Sequence, residues 1–182
     1  MEDSIYAVFR STDNIIYKQF LLSDEASEYN NIFANITTTS LTTISTGLRE
    51  YVDINLTEYP DIVNRILIVL DNYLPDICLA RYCRFYSHKY GHIKPHVDMN
   101  HDNKSNYTLL IYLTDDFEGG ELSIKVKRTA DDLELTEPNK FHHVFTFKPF
   151  KGYGILFRKN LSRWADYVIG NKNLLLHLFS PY

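Results

Sequence analysis

Cysteine is scarce in this sequence of 182 residues, which contains Cys78 and Cys83 and no others. Small secreted domains are often held together by several disulfides, and two cysteines five residues apart do not make such a framework. The chain opens with Met1-Glu2-Asp3-Ser4, which lacks the basic and then apolar pattern of a secretory signal. These features predict a cytoplasmic protein.

Long apolar runs and a strong excess of one charge are also missing. No apolar stretch approaches the ~20 residues that a membrane-spanning helix needs, and the formal net charge is only -4 at pH 7. A charge this small gives no general attraction to nucleic acid or to anionic membranes. With 45% hydrophobic and 14% aromatic residues, the sequence instead predicts a soluble, folded protein that has no membrane partner.

Glycine and proline are too few to mark a linker, since the chain has 7 glycines and 6 prolines. We therefore predict one domain over residues 1–182. Within it, residues 1–77 are expected to supply N-terminal strands and supporting helices, and residues 78–182 to form the core.

The N-terminal part combines short strands with two helices. A helix capped by Ser23 follows strands predicted at 5–9 and 15–22. Residues 37–46 are rich in Thr and Ser, and are predicted to form a loop or an edge strand. A second helix is predicted from Pro60, a residue favoured at the first helical position, to a stop at Pro75.

From Cys78 onward, short β-rich runs alternate with turns. They are predicted at 79–86, 93–99, 107–114, 121–126, 143–147, 154–157, 168–169 and 173–179. Many short strands after two helices indicate an α+β fold that is mainly β, a double-stranded jelly-roll barrel with supporting N-terminal helices. The mouth of such a barrel can bury a small ligand.

The triplet His96-Val97-Asp98 carries the strongest functional signal in the core. On a strand the side chains of residues i and i+2 leave the same face, so this imidazole and this carboxylate are predicted to converge. A His and Asp pair supplies two of the protein ligands in the two-histidine, one-carboxylate triad that binds Fe(II). The triplet therefore predicts part of a metal site.

Further features accompany this triplet. They are, in chain order, Tyr86, His96 and Asp98, Tyr112-Leu113, Gly119-Gly120, residues 152–157 and Lys172. This order resembles the prolyl 4-hydroxylase-like branch of the 2-oxoglutarate- and iron-dependent oxygenases. The resemblance extends from about Cys78 to Tyr182.

The resemblance implies Fe(II) and 2-oxoglutarate as cofactors, with ascorbate as an optional third and dioxygen as cosubstrate. His96 and Asp98 would bind the iron. Lys172 would bind a carboxylate of 2-oxoglutarate, because a buried dicarboxylate needs a cation, and Tyr86 and Tyr112 would assist it. The implied activity is hydroxylation of a side chain on a peptide or protein.

The resemblance breaks at the second histidine, which in the family lies eight or nine residues before the basic residue. Counting back nine from Lys172 reaches Arg163, beside Trp164, and arginine has no lone pair to offer a metal. The other candidates for a third ligand are Asp166, His142, His143 and His177. The alternative function is a catalytically inactive oxygenase fold that serves as a protein-binding or regulatory module.

A basic and aromatic cluster in the last third of the chain raises a third hypothesis. It consists of Lys148, Lys151, Arg158, Lys159 and Arg163 interleaved with Phe150, Tyr153, Phe157 and Trp164. Such a mixture can mark a nucleic-acid groove, as a nucleic-acid demethylase of the same superfamily would need. On strands it more often reflects inward aromatic and outward basic residues, so nucleic acid is not predicted as a partner.

Overall fold

The computed structural model describes residues 7–8, 15–36, 40–44, 47–74, 78–79, 82–98, 107–127 and 142–180. Helix α1 spans Ser23–Ala34, helix α2 spans Pro60–Asp71, and a short 3-10 helix spans Leu56–Glu58. The strands are β1 (Ala7–Val8), β2 (Ile15–Gln19), β3 (Ser40–Ile44), β4 (Gly47–Asn55), β5 (Cys78–Leu79), β6 (Tyr82–His96), β7 (Tyr107–Tyr112), β8 (Glu118–Gly119), β9 (Leu122–Lys127), β10 (His142–Phe147), β11 (Tyr153–Arg158) and β12 (Ser162–Ser180).

The strands form one curled antiparallel sheet in the order β1-β2-β11-β7-β12-β6-β4-β3. Strand β12 pairs with β6 along one edge. Along its other edge it pairs with β9 and β8 in its first half and with β7 in its second half. Two groups of strands therefore branch from β12 and curl around a common interior. The predicted mainly β jelly-roll fold with N-terminal helices is confirmed.

Side chains alternate between the two faces of this sheet. Phe85 and Ile111 join the core cluster that lies under the helices, together with Phe33 of α1 and Ile66 of α2. Their neighbours along the strands belong to a second cluster inside the barrel, whose members include Tyr86, Leu110, Tyr112, Ile124 and Ile155. The period of two thus directs both predicted cofactor-binding tyrosines into the interior.

The start of α1 differs from the prediction. Ser23 is the first helical residue, and Leu22 holds the capping position. The Leu22 N–H donates to the Glu25 carboxylate at 2.7 Å. The Glu25 side chain thus provides an acceptor for a backbone N–H at the helix start, where no helical acceptor is available. The same carboxylate accepts a hydrogen bond of 2.9 Å from Arg65 and joins α1 to α2. Helix α2 begins at Pro60 as predicted, and no helix within the described ranges is long and apolar enough to cross a membrane.

Two pairs of predicted strands are each one continuous strand. Strand β6 joins residues 82–86 and 93–96 of the runs predicted at 79–86 and 93–99, and it passes through Gly91, whose φ is 103°. Strand β12 runs through Gly170, whose φ is 117°, and its pairing with β6 shifts register there, between Ile169 and Lys172. These glycines allow bulges within long strands instead of ending them.

Candidate functional site

Asp98 follows the end of β6, and its carboxylate accepts three hydrogen bonds. Arg163 donates two of them, from Nη2 to Oδ1 at 2.6 Å and from Nε to Oδ2 at 3.1 Å. The Thr108 hydroxyl donates the third, to Oδ2 at 2.8 Å. The side chains of Arg163 and Asp98 are only 5% and 11% exposed. A two-pronged pair of this kind is both strong and specific in orientation, and its burial protects it from water.

His96 lies at the end of β6, directly opposite Arg163 on β12. Its Nδ1 is 2.8 Å from the Lys94 carbonyl oxygen, which can only accept, so Nδ1 carries the proton. Burial, and then the charge of Arg163, lower the pKa of His96. The ring is therefore neutral at pH 7 and presents the Nε2 lone pair, which lies 3.8 Å from Asp98 Oδ1. The structure thus brings His96 and Asp98 together.

Arg163 holds the third place in this group, where the facial triad would need a second histidine. Among the described residues, no three His, Cys, Asp or Glu side chains form a group that could bind a metal. Asp166 is exposed, and its N–H donates to the Glu121 carbonyl at 3.0 Å. The side chains of the other three candidates, His142, His143 and His177, lie outside the described part of the structure.

A row of buried basic residues crosses the interior. Arg49 on β4 and Lys172 on β12 both pair in register with His88 on β6, which lies between them. They are buried, at 7%, 2% and 4% exposure respectively. The Arg49 guanidinium carbon lies 3.4 Å from the ring centroid of Tyr86. Lys172 Nζ donates to the Gly120 carbonyl oxygen.

The row makes the interior electropositive. Burial, and then the charge of Arg49, lower the pKa of Lys172 to about 7. Burial, followed by the charges of Arg49 and Lys172, lowers the pKa of His88 to about 4. Within the described ranges, the ion pairs involve neither Arg49 nor Lys172. An anion that entered this space would relieve the repulsion.

The two tyrosines predicted to assist Lys172 have different surroundings. Tyr112 is completely buried, and its hydroxyl has no hydrogen-bond partner among the described residues. Its ring centroid lies 5.4 Å from Lys172 Nζ, and burial raises the pKa of its hydroxyl. The Tyr86 ring instead supports the guanidinium of Arg49. Tyr112 therefore offers a polar group to a ligand beside Lys172, while Tyr86 positions a cation.

The sequence predictions missed Arg49 and Thr108. Thr108 alternates with Leu110 and Tyr112 on the interior face of β7, and a polar residue at the end of such an apolar series was a detectable signal. Arg49 had a weaker signal, because it lies outside the region of family resemblance. Its place on the face of β4 opposite the buried Val52 and Ile54 follows from strand alternation alone.

Residues 79–181 match the sequence model of the family described as the 2OG-Fe(II) oxygenase superfamily. This match covers more than half of the 182 residues. The chain belongs to this superfamily. The family prediction is thereby confirmed, and so is the dependence on Fe(II) and 2-oxoglutarate at the level of the superfamily. Enzymes of this family are oxidoreductases.

Proteins of solved structure that share this fold are named for different reactions. An oxidoreductase of the 2OG-Fe(II) oxygenase family from Burkholderia pseudomallei is 15% identical, with a TM-score of 0.68 over 93% of this chain and 86% of that chain. A prolyl-4-hydroxylase from Pseudomonas putida is 14% identical, with a TM-score of 0.66 over 94% of each chain. A non-heme alpha ketoglutarate dependent epimerase from nogalamycin biosynthesis is 13% identical, with a TM-score of 0.67 over 93% and 79%. At these identities the likeness shows the fold alone. A search of curated proteins finds no match.

The interior of this oxygenase-family chain fits one of the two cofactors. The buried cations Arg49 and Lys172 and the unpaired Tyr112 hydroxyl fit a dicarboxylate such as 2-oxoglutarate. The iron site does not fit, because a positively charged guanidinium takes the place of the third ligand and donates to both oxygens of Asp98. A divalent cation at Asp98 would have to compete with Arg163 for the carboxylate oxygens and would be repelled by the guanidinium charge.

Proposed function

We propose that this protein binds 2-oxoglutarate without oxidising it and serves as a binding or regulatory module built on the oxygenase fold. The observation that carries the proposal is the buried Arg163–Asp98 pair. The carboxylate that would bind iron is neutralised by a cation of the protein itself. Among the described side chains, the neutral His96 is then the one metal ligand that remains beside Asp98.

Lys172 supports the binding part of the proposal. It is buried beside the unpaired Tyr112 hydroxyl, and its ammonium group contacts a backbone carbonyl but no described carboxylate. A buried cation of this kind is expensive to maintain unless an anion reaches it. The distal carboxylate of 2-oxoglutarate supplies such an anion, together with an acceptor for the tyrosine hydroxyl.

Succinate release tests the proposal. The purified chain is incubated with Fe(II), 2-oxoglutarate, ascorbate and dioxygen, with and without a cell lysate as a source of substrates. We expect 2-oxoglutarate to bind, as measured by calorimetry, and succinate to stay at the level of a protein-free control. Catalytic release of succinate would contradict the proposal.

A second candidate is hydroxylation of a side chain on a peptide or protein, with Fe(II), 2-oxoglutarate and dioxygen. The convergence of His96 and Asp98 at 3.8 Å favours it. Similarity to a prolyl-4-hydroxylase is compatible with a peptide or protein partner. This function requires Arg163 to leave Asp98 when a metal binds. Succinate release that depends on a peptide fraction of the lysate would favour this candidate over the binding module.

A further inference from the structure

We infer that Arg49 and Lys172 bind the two ends of a short dicarboxylate dianion, and that this binding needs no metal ion. The inference rests on the proposed function, because it concerns the same interior. It adds a second anchor, Arg49, on a strand outside the part of the chain that matches the family.

The strand register places the two cations on opposite sides of His88. Adjacent strands lie about 4.8 Å apart, so the α-carbons of Arg49 and Lys172 are about 10 Å apart across β6. Both side chains face the same interior, because Arg49 stacks on Tyr86 and Lys172 lies near Tyr112, and these two tyrosines belong to one cluster. A ligand that reaches both cations from this interior needs a carboxylate at each end.

The charge balance of the interior favours a dianion as the ligand. Arg163 is neutralised by Asp98, whereas Arg49 and Lys172 form no ion pair among the described residues. The pKa of Lys172 is about 7 in the empty interior, and a bound carboxylate would favour its charged form. His88 between them adds no charge, since its pKa of about 4 keeps it neutral at pH 7. A buried charge without a partner destabilises a protein. A ligand with two carboxylates balances both cations, whereas a monoacid balances one.

Tyr112 gives independent support for a ligand at the Lys172 end. Its side chain is 0% exposed, and its hydroxyl is a hydrogen-bond donor with no described acceptor. Buried polar groups are nearly always paired in folded proteins. A carboxylate held by Lys172 would lie within reach of this hydroxyl, because the Lys172 nitrogen is 5.4 Å from the tyrosine ring centroid.

Independence from metal follows from the Arg163–Asp98 pair. In this chain Asp98 already has a cation at 2.6 Å, so no metal is needed to neutralise it. The charge of the second ligand carboxylate is met by Arg49. Both ends of the dianion are therefore bound by side chains of the protein.

The test is a set of calorimetric titrations of the full chain with 2-oxoglutarate, in EDTA and in MnCl2. We expect equal affinity in the two conditions. Succinate, a dicarboxylate without the oxo group, should also bind. The monocarboxylate 2-oxobutyrate should bind on the order of tenfold or more weakly, because it lacks one charged hydrogen-bonding end.

Variants locate the two anchors. Arg49→Gln and Lys172→Gln should each weaken 2-oxoglutarate binding on the order of ten- to a hundredfold. Arg158→Gln is the matched control, because Arg158 is an exposed arginine at the end of β11, and it should bind like the wild type. Circular dichroism checks folding. If Arg49→Gln does not fold, Arg49→Lys and the comparison of dianion with monoanion on the wild type still decide the question.

Each result separates this inference from the proposed function. Binding that appears only with Mn(II), or that is as strong for 2-oxobutyrate, overturns the inference. So does undiminished binding by Arg49→Gln when Lys172→Gln is impaired, and the proposed function then stands. Absence of 2-oxoglutarate binding in both conditions overturns both. Metal-independent binding accompanied by succinate release with Fe(II) supports the inference and overturns the proposed function.

Discussion

The pairing of Arg163 with Asp98 illustrates how much a single side chain can determine in a buried site. A histidine at this position would add a lone pair beside His96, whereas the arginine adds a fixed positive charge and two donors. The pairing of β12 with β6 at this point is made by backbone groups, which both residues supply. The difference between a metal site and an ion pair is therefore confined to one residue.

Removal of Arg163 should destabilise the fold. In Arg163→Met the Asp98 carboxylate stays buried with only the Thr108 hydroxyl as a described side-chain donor, and breaking a buried pair in this way costs about 3–5 kcal/mol. Urea unfolding measures the loss. The double variant Asp98→Asn with Arg163→Met should recover much of it, because no unpaired charge remains. Equal losses in the single and double variants would show that the pair has no such role.

Arg163→His should create a stronger metal site. The new imidazole would lie opposite His96 and release Asp98 from its ion pair, so three ligands of the facial triad become available. Equilibrium dialysis with Mn(II) should show tighter binding than in the wild type. Arg158→His is the control for a histidine placed on the surface, and it should not change Mn(II) binding. If Arg163→His shows no gain, the vacant ligand position lies elsewhere.

At the scale of elements, the Gly119–Gly120 segment positions Lys172. Gly120 has a φ of 73°, and its carbonyl accepts the hydrogen bond from the Lys172 ammonium group. A Cβ on Gly120 would lie 3.2 Å from both Cδ and Nζ of Lys172. The sequence indicated a turn here and no chemistry, since nothing in a Gly-Gly pair shows what its carbonyl will contact.

Alanine substitutions separate backbone strain from cation positioning in this segment. Gly120→Ala should weaken 2-oxoglutarate binding, because its methyl group displaces the Lys172 side chain. Gly119→Ala is the comparison, since its Cβ would meet the Tyr167 backbone and not Lys172. Gly120→Ala should lower stability by about 1–3 kcal/mol because of its positive φ, and Gly119→Ala should lower it more, because its Cβ would clash with the Tyr167 carbonyl oxygen. Equal effects of the two variants on calorimetric affinity, once folding is verified, would argue against a positioning role for Gly120.

The sequence predicted the elements best where local chemistry decides them. Strand alternation directs Tyr86 and Tyr112 inward, and the i, i+2 spacing brings His96 to Asp98 even though Asp98 lies beyond the strand end. The continuity of β6 through Gly91 could not be predicted, because it depends on pairing with β12 far along the chain. The place of Arg49 beside His88 depends on strand order in the same way.

For the molecule as a whole, the buried cations set how stability changes with pH. The pKa of Lys172 is about 7 in the folded chain, against an ordinary value of 10.5. Between these values the unfolded chain binds more protons, so the free energy of unfolding should rise as the pH increases above 7. His88, at about 4 against 6.5, should give a second rise between those values. Cys83 acts in the opposite direction above pH 9, because burial raises its pKa to about 12.

Urea unfolding between pH 7 and 9 should therefore show rising stability in the wild type and a flatter profile in Lys172→Met. The methionine removes the titrating group and keeps a long buried side chain. His88→Gln should flatten the profile between pH 4 and 6.5 and leave the upper range unchanged. A Lys172→Met profile parallel to that of the wild type would show that another group titrates.

The Asp98 carboxylate has a dynamic consequence for the whole barrel. It accepts hydrogen bonds from Thr108 of β7 and from Arg163 of β12. The Asp98 N–H donates to the Lys159 carbonyl at 3.2 Å. One residue therefore connects three separate segments to the end of β6. Segments tied at one point should open together. Native-state hydrogen exchange should show amides of residues 93–96 and 161–165 exchanging as one cooperative unit. In Asp98→Asn the same amides should exchange faster and independently, so that the mouth of the barrel loosens before the rest of the sheet does.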